Sequence, residues 1–528
     1  MAFLYDIVSN DITRNKSVVT RFPPEPNGYL HLGHAKALSV DFGIAKDFNG
    51  KCILRMDDTN PLTEKHHYVD AIESDVKWLG YEPAELTYAS DYFDKMITFA
   101  LKLIETGDAY VDDQTNEQIH INRGSIKEPG TNSIYRTRSC EENLYLFTGM
   151  IDGKYPPSER VLRAKISMTD PNPIMRDPVL YRIMDHEHYR QGKKYKVYPT
   201  YDWAHPLEDL FENITHSFCS LEFVSHRPLY EWVLAKTVGE FPCKQIEFSR
   251  LNLEFTLMSK RKLLRLVEEN YVTGWDDPRM PTISGLRRRG YTPDAINNFI
   301  AKVGVTKTDA IIKYNLLESC ILDDLNSKAP RRMAVIDPLK ITIRNWSEGE
   351  SKLLEDRLMM TKTIYIERSD FAENPPPKFF RLSPKMPVRL RYGYVIHCVD
   401  VIKEDGKVVE VICDYDESSL GNRPTGARIK GVIHWVSAEC SELATIRLYD
   451  KLFTEPKIGE IDDYLKYINP QSLITVKCPI ESSLKLAKIG ESFQFERIGF
   501  FCVDSDSTNG NIIFNLTVKL NDSWNKSK

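Results

Sequence analysis

The chain has 528 residues, 42% of them hydrophobic and 27% charged, with a formal net charge of −5. That composition is ordinary for a globular protein of roughly three or four domains. No run approaches the roughly 18 to 20 consecutive apolar residues of a membrane span, and a charge so small neither announces nor excludes a nucleic-acid partner. Ten cysteines are scattered singly, with no Cys-x-x-Cys pair. Neither structural zinc of that type nor a disulfide framework is expected. The opening MAFLYDIVSNDITRNK lacks a basic region followed by an apolar core, so the expectation is a cytoplasmic protein with reduced thiols.

In chain order, residues 17–22 form a short strand candidate, and Leu38, Phe42, Ala45 and Phe48 then recur at helical spacing. Residues 51–57 (KCILRMD) give a second strand, and Val69, Ile72, Val76 and Leu79 a second helical stripe closed by Gly80. Strand, helix, strand, helix is the pattern of an open parallel sheet. Ligands of such sheets bind beyond the carboxyl ends of the strands, where 21–34 and Asp57 fall. Residues 91–200, with PGTNSIYRTR, YPPSER and TDPNP, break the alternation and read as an insertion between two halves of that sheet. From 251 to 328 helices dominate. The clearest carries Ile296, Phe299, Ile300 and Val303, with Thr292 as N-cap, Pro293 at the first helical position and Gly304 as C-cap.

Beyond Pro330 the pattern turns to short strands: 341–344, two runs within 388–416 around the hairpin signal Asp405-Gly406, then 432–436, 446–449, 473–476, 493–503 and 512–518. Strands so spaced predict one or two β-barrels.

Two short motifs carry chemistry. In His31-Leu32-Gly33-His34 the histidines lie three apart at the mouth of a helix, hence on one side. They can bond phosphate oxygens as charge develops, while Gly33 permits close approach to the backbone. Two solvated or core histidines are the plainer alternative, weakened by the preceding strand and by Pro23-Pro24-Glu25-Pro26-Asn27-Gly28. Much later comes Met258-Ser259-Lys260-Arg261, where a lysine on a mobile loop would neutralise departing pyrophosphate; a solvated basic loop is its alternative.

The segments TRFPPEPNGYLHLGHAKA, RMDDTNP, RDPVLYRI, YPTYDWAH, ITHSFCSLEF, EFSRLNLEF, LMSKRK, GWDDPRMPTISGLRRRGYT and GVIHWVS resemble the class I aminoacyl-tRNA synthetases of the glutamyl/glutaminyl subclass. The likeness covers essentially the whole chain and is strongest to the glutaminyl branch; Leu257 departs from the usual lysine that opens the second signature. It implies a multidomain α/β plus β fold. A split Rossmann-type parallel-sheet catalytic domain (1–90 and 201–250) would hold an acceptor-stem insertion (91–200). A helical subdomain with the MSK loop (251–328) would follow, then two C-terminal anticodon-binding β-barrels, the proximal from 329–350 and 450–528, the distal from 351–449.

The resemblance implies ATP- and Mg²⁺-dependent activation of L-glutamine to its adenylate. Transfer follows to the 2′-hydroxyl of the terminal adenosine of tRNA(Gln), in a monomer with no membrane partner and no structural zinc. Glutamate–tRNA ligase, or a catalytically silent tRNA-binding relative, is the alternative. Neither step needs a protein nucleophile, so catalysis would be positioning and charge stabilisation.

By resemblance, His31, His34 and Lys260 serve the transition state. ATP would be surrounded by Glu25, Pro26, Asn27, His31, Leu32, Gly33, His34, Ala35, Lys36, Ala37, Ser220, Arg250, Leu251, Met258, Ser259 and Lys260. Glutamine would meet Arg21, Asp57 (taking the α-ammonium), Tyr201, Cys219 and Gln245. Asp58 is the better candidate for a helix cap. Glutamate-specific relatives carry an arginine where Cys219 stands; a small neutral thiol suits an amide, and Asn27 and His205 lean the same way. For tRNA the resemblance points to Arg123, to Ile126 as an apolar wedge (otherwise a minor core residue), and to Arg331, Arg381, Arg389 and Arg391 on anticodon bases. Arg287, Arg288 and Arg289 could touch tRNA or form internal ion pairs.

Overall fold

A computed structural model describes residues 2–12, 17–239, 243–355, 357–421 and 429–520. The chain divides into two units, Met1–Leu253 with Ile300–Ile312, and Glu254–Phe299 with Lys313–Lys528. No helix among the described residues is long and apolar enough to cross a membrane.

The first unit is organised by parallel strands, and all but the edge strand Glu85–Tyr88 carry buried side chains on both faces. Val19–Phe22, Lys51–Met56 and Glu85–Tyr88 pair in parallel in that order, and His216–Ser220 pairs in parallel with Lys244–Phe248. Thr215 joins the two pieces: its N–H donates to the Val19 carbonyl (2.9 Å), and its Oγ1 accepts from the Val19 N–H (2.9 Å). The crossover helices are Leu32–Asp47 and His66–Trp78.

Arg21 and Arg55 stand inside this apolar sheet. Arg21 lies opposite Ile53 in the ladder, and Arg55 is two residues further along, so both project from one face. The helix Tyr201–Phe211 covers them with His205, Glu208 and Asp209, joined by Glu212 just past its end, all at helical three-to-four spacing. Arg21 Nε donates to Asp209 Oδ1 (3.0 Å), which also accepts from Arg55 Nη2 (2.7 Å); Arg55 further donates to Glu208 (3.2 Å) and Glu212 (2.6 Å). Both arginines are at most 1% exposed. Buried ions are tolerable only in such a fully bonded arrangement, and this one spans the two sequence-distant halves of the sheet.

The insertion forms a four-stranded antiparallel sheet of Ala109–Asp112, Val161–Ala164, Val179–Ile183 and Val197–Pro199 in sequence order. The helices Phe93–Glu105 and Cys140–Ile151 pack on it around Phe93, Phe147 and Tyr181.

In the second unit a seven-stranded sheet runs Val432–Ile433, Val388–Leu390, Val395–Glu404, Lys407–Asp416, Pro338–Ile343, Thr363–Glu367, Trp435–Ser437. A six-stranded sheet runs Arg331–Arg332, Ser492–Phe495, Gly499–Val503, Ile513–Lys519, Ser441–Tyr449, Leu473–Glu481. The Asp405-Gly406 turn has positive φ at both residues (47° and 75°), as a two-residue hairpin requires.

Three boundaries expected from sequence shift. Pro338–Ile343 joins the seven-stranded sheet instead of the C-terminal one, and Ser441–Tyr449 joins the six-stranded sheet instead of residues 351–449. Residues 300–312 pair back to the first unit, Ile311–Ile312 against Asn252–Leu253. Alternating hydrophobicity locates a strand but does not name its partner.

Replacing Arg55 with Met should lower the stability of the protein by about 3–5 kcal/mol in urea unfolding, since Glu208, Asp209 and Glu212 lose their shared counter-ion. Lys51→Ala, which breaks an exposed pair with Glu85, should cost less than about 1 kcal/mol.

Candidate active site

His31 is the N-cap of the helix Leu32–Asp47. Its Nδ1 accepts from the Gly33 N–H (3.1 Å), while His34 Nδ1 accepts from the His31 N–H (3.0 Å). Each imidazole therefore closes the cap on the other, rings 3.9 Å apart. With both Nδ1 atoms accepting, the ring proton of each sits on Nε2. The result is a pair of donors at a helix N-terminus, itself favourable to anions.

Gly33 has a different reason from the one expected. A Cβ there would lie 2.8 Å from His31 Cε1, so the glycine makes room for the capping ring as much as for any ligand. Leu32, Ala35 and Leu251 are buried in the core, and Ala37 packs against the cluster holding Leu4 and Val40; their side chains are occupied by packing. Lys36 is also buried. Its Nζ donates to Ser249 Oγ (3.0 Å) and the Arg250 carbonyl (3.3 Å), and burial brings its pKa down to about 8. It fastens the helix to the segment that carries Arg250, whose N–H donates to Asp309 (2.9 Å) and whose guanidinium reaches Glu222 (3.5 Å). Ser220 Oγ donates to the same Glu222 (2.8 Å).

The segment 24–27 and the end of the second strand are tied together. Asp57 N–H donates to the Pro24 carbonyl (3.1 Å) and Lys65 N–H to that of Pro26 (3.0 Å); Asn27 Nδ2 donates to Glu25 (2.6 Å). Asp57 is buried and accepts from Thr59 Oγ1 (3.0 Å). Burial first, and Glu25 second, push its pKa up to about 7. Burial likewise lifts Glu64 to about 10. This is a site short of positive charge, which an ammonium group would supply. Asp58 caps nothing on the expected α-helix; its carboxylate accepts from the Ser90 N–H and Oγ (both 2.8 Å).

The second half of the sheet carries the other residues expected to meet the amino acid. Cys219 is buried, its thiol pushed up to about 12 by burial. Tyr201 packs its ring between His205 (5.1 Å) and Phe223 (5.2 Å). Gln245 Nε2 donates to the Phe223 carbonyl (3.1 Å) and Glu247 (2.9 Å), and Glu247 also pairs with Arg227.

Arg21 and Cys219, both expected to meet glutamine, lie side by side: Arg21 Nη2 is 4.0 Å from Cys219 Sγ. That guanidinium is held by Asp209, by the Phe218 carbonyl (2.9 Å), by Ser217 Oγ (2.7 Å) and against His205 Nε2 (2.7 Å). Burial alone would raise the Asp209 carboxyl, but Arg21, His205 and Arg55 hold it well below the usual range, so it stays ionised as the counter-charge. The cation beside Cys219 is thus paired with a buried carboxylate. Arg55, Glu208, Asp209 and Glu212 were missed from sequence, although an arginine in the apolar run CILRM and acids on the buried stripe of HPLEDLFE were the available signals.

Family models for the tRNA synthetases class I (E and Q) match this architecture: the catalytic domain over residues 17–327, and anti-codon binding domains over 329–416 and 432–504. The chain belongs to this family. Curated relatives include "Glutamine--tRNA ligase" of Rhodopirellula baltica, 49% identical over 99% of this chain and 90% of that one, and of Pseudomonas putida, 50% identical over 99% and 96%. A crystal structure of glutamate-tRNA synthetase from Elizabethkingia anophelis is 21% identical, with a TM-score of 0.45, covering 59% of this chain and 71% of that one.

In this synthetase Ile126 is no core residue: it is 84% exposed. It sits in a turn closed by Ser125 and Glu128 backbone bonds (3.1 and 3.3 Å). Buried Arg176 donates through Nη1 to the carbonyls of Arg123, Ser125 and Glu128 (2.8–2.9 Å), so a rigid base presents the apolar tip. The Arg123 side chain stays exposed beside His120.

In the second unit Lys260 opens the helix Lys260–Glu268, with Ser259 in the cap position, instead of sitting within a loop. Met258 is half-buried, and Leu257 is buried among Leu263, Leu266 and Phe453, which explains an apolar residue there. Arg288 pairs with Asp504 and Asp506, and buried Arg289 donates to the Tyr449 carbonyl (3.3 Å), so both serve internal bonding. Arg331 is exposed on the edge strand. Arg381 pairs with Asp370 (3.1 Å), Arg389 donates to the carbonyls of Gly393 (3.2 Å) and Ser419 (2.7 Å), and Arg391 lies against Glu496 (3.4 Å) with its guanidinium 4.8 Å from the Tyr392 ring centre.

Asp57 sets a pH-dependent cost. With a folded pKa of about 7 against roughly 3.9 unfolded, the native state binds the extra proton, so stability falls as pH rises from about 4 to about 7. Asp57→Asn should therefore raise the urea midpoint at pH 8, and leave it unchanged near pH 3.5.

Proposed function

We propose that this synthetase is a glutamine–tRNA ligase acting on tRNA(Gln). The observation that carries the reading is the compensated Arg21–Asp209 pair beside Cys219 and Tyr201. A neutral, hydrogen-bonding wall fits a carboxamide and offers no unpaired cation to a carboxylate. The names of relatives about 49% identical over nearly the whole chain support it.

In the first step the glutamine carboxylate attacks the α-phosphorus of ATP, forming the phosphoric–carboxylic anhydride and expelling pyrophosphate. Asp57 receives the α-ammonium. The Nε2–H groups of His31 and His34 face the charge that grows on the phosphates, joined by Lys260. In the second step the 2′-hydroxyl of the terminal tRNA adenosine attacks the activated carbonyl and AMP leaves. ATP enters as its Mg²⁺ complex. Residues 91–200, with Ile126 at their exposed tip, take the acceptor end, and Arg331, Arg381, Arg389 and Arg391 read the anticodon. The same reading makes the enzyme a cytoplasmic monomer.

ATP–pyrophosphate exchange with each amino acid, with tRNA present, should respond to glutamine alone; exchange with glutamate and none with glutamine would overturn the proposal. Lys260→Ala should slow adenylate formation by about 10²–10³-fold while glutamine affinity stays within a few-fold. An equal loss in both would assign Lys260 to binding.

A further inference from the structure

The insertion touches the amino-acid end of the site at one buried joint. Between its strands Val179–Ile183 and Val197–Pro199, residues 188–192 form a turn closed by mutual backbone bonds of His188 and Gly192 (2.9 and 2.8 Å). The His188 side chain is fully buried. Its Nδ1 accepts from the N–H groups of Arg190 (3.1 Å) and Gln191 (3.2 Å), which places the ring proton on Nε2. That Nε2–H donates to the main-chain carbonyl of Asp58 (2.8 Å). The ring stacks between Tyr189 (5.0 Å) and Tyr198 (6.2 Å), with Phe93 at its edge (6.0 Å), so its direction is fixed.

The same turn holds Asp58 from other sides. Tyr189 OH donates to its carboxylate (3.3 Å), and Arg190 Nη1 donates to Ser90 Oγ (2.9 Å) and Asp91 (2.9 Å) from above the Tyr88 ring (3.6 Å). Ser90 in turn donates twice to Asp58. Asp57, the preceding residue, is otherwise located by its bond to the Pro24 carbonyl and by Thr59. Asp57 and Asp58 are consecutive residues of one short segment, and what fixes the Asp58 carbonyl limits where the Asp57 carboxylate can stand.

We propose that His188 is a positioning residue for the amino-acid site: through the Asp58 carbonyl it sets Asp57 and couples the insertion to the binding of the substrate ammonium. The inference rests on reading Asp57 as the group that receives that ammonium. A carboxylate displaced by even a fraction of an ångström loses a charge-assisted contact, and the loss is specific to the amino acid because the nucleotide is met by the histidine cap.

The test is ATP–pyrophosphate exchange on the full chain with tRNA present. His188→Ala should raise the KM for glutamine at least about ten-fold and leave the KM for ATP within about two-fold. His188→Gln, whose amide nitrogen can reach the place of Nε2, should recover most of the loss. Ser90→Ala, a milder disturbance of the same joint, should raise the glutamine KM about three-fold and keeps the test open if His188→Ala does not fold. Equal changes in both KM values, an unchanged glutamine KM, or a glutamine variant no better than alanine would overturn the inference. Asp57→Asn separates the two readings. If it raises the glutamine KM while His188→Ala does not, this inference alone fails; if it too leaves glutamine binding unchanged, the role of Asp57 fails with it.

Discussion

Two arginines buried in a parallel sheet set the terms for the rest of the first unit. Neither Arg21 nor Arg55 could be buried there without partners, because a desolvated guanidinium does not give up its proton. The partners come from a helix about 150 to 190 residues further along the chain, which brings His205, Glu208 and Asp209 onto one stripe, with Glu212 just past its end. The halves of the sheet are thus held together by the same bonds that balance the charge of the guanidinium beside Cys219.

The remaining features follow a related logic, in which local backbone needs orient the reactive groups. The histidine pair completes a helix cap, and in doing so leaves the ring proton of each on Nε2. Lys36 is spent on holding a neighbouring segment. Asp57 and Glu64 are the opposite case: burial outweighs their favourable interactions and keeps their pKa values high. Such opposed demands are what a binding site imposes on a fold.

Much of this was legible in the sequence. The strand–helix–strand opening, the hairpin at Asp405-Gly406 and the capping of the helix Pro293–Val303 follow from periodicity and turn chemistry, and the family from long specific segments. Strand partners were not, because hydrophobic alternation is the same whichever sheet a strand joins; Pro338–Ile343 and Ser441–Tyr449 show this. Motif matching singled out His31, His34, Asp57, Tyr201 and Cys219 as candidates but gave Gly33 to the ligand when His31 also requires it, and overlooked the buried Asp209. A buried acid announces itself only through its partner, and Arg21 lies 188 residues away. Ile126 was ambiguous because an isoleucine in a turn can face either way; the bonds from Arg176 decide it.

The central claim is that Asp209 keeps the amino-acid wall neutral by balancing Arg21. It is tested most directly by the ratio of glutamine to glutamate kcat/KM in tRNA charging, for the wild type and for Asp209→Asn. An isosteric amide retains shape but leaves the guanidinium beside Cys219 less compensated. The account predicts that the ratio falls at least about ten-fold, roughly 1.4 kcal/mol. A folded variant with an unchanged ratio would contradict it.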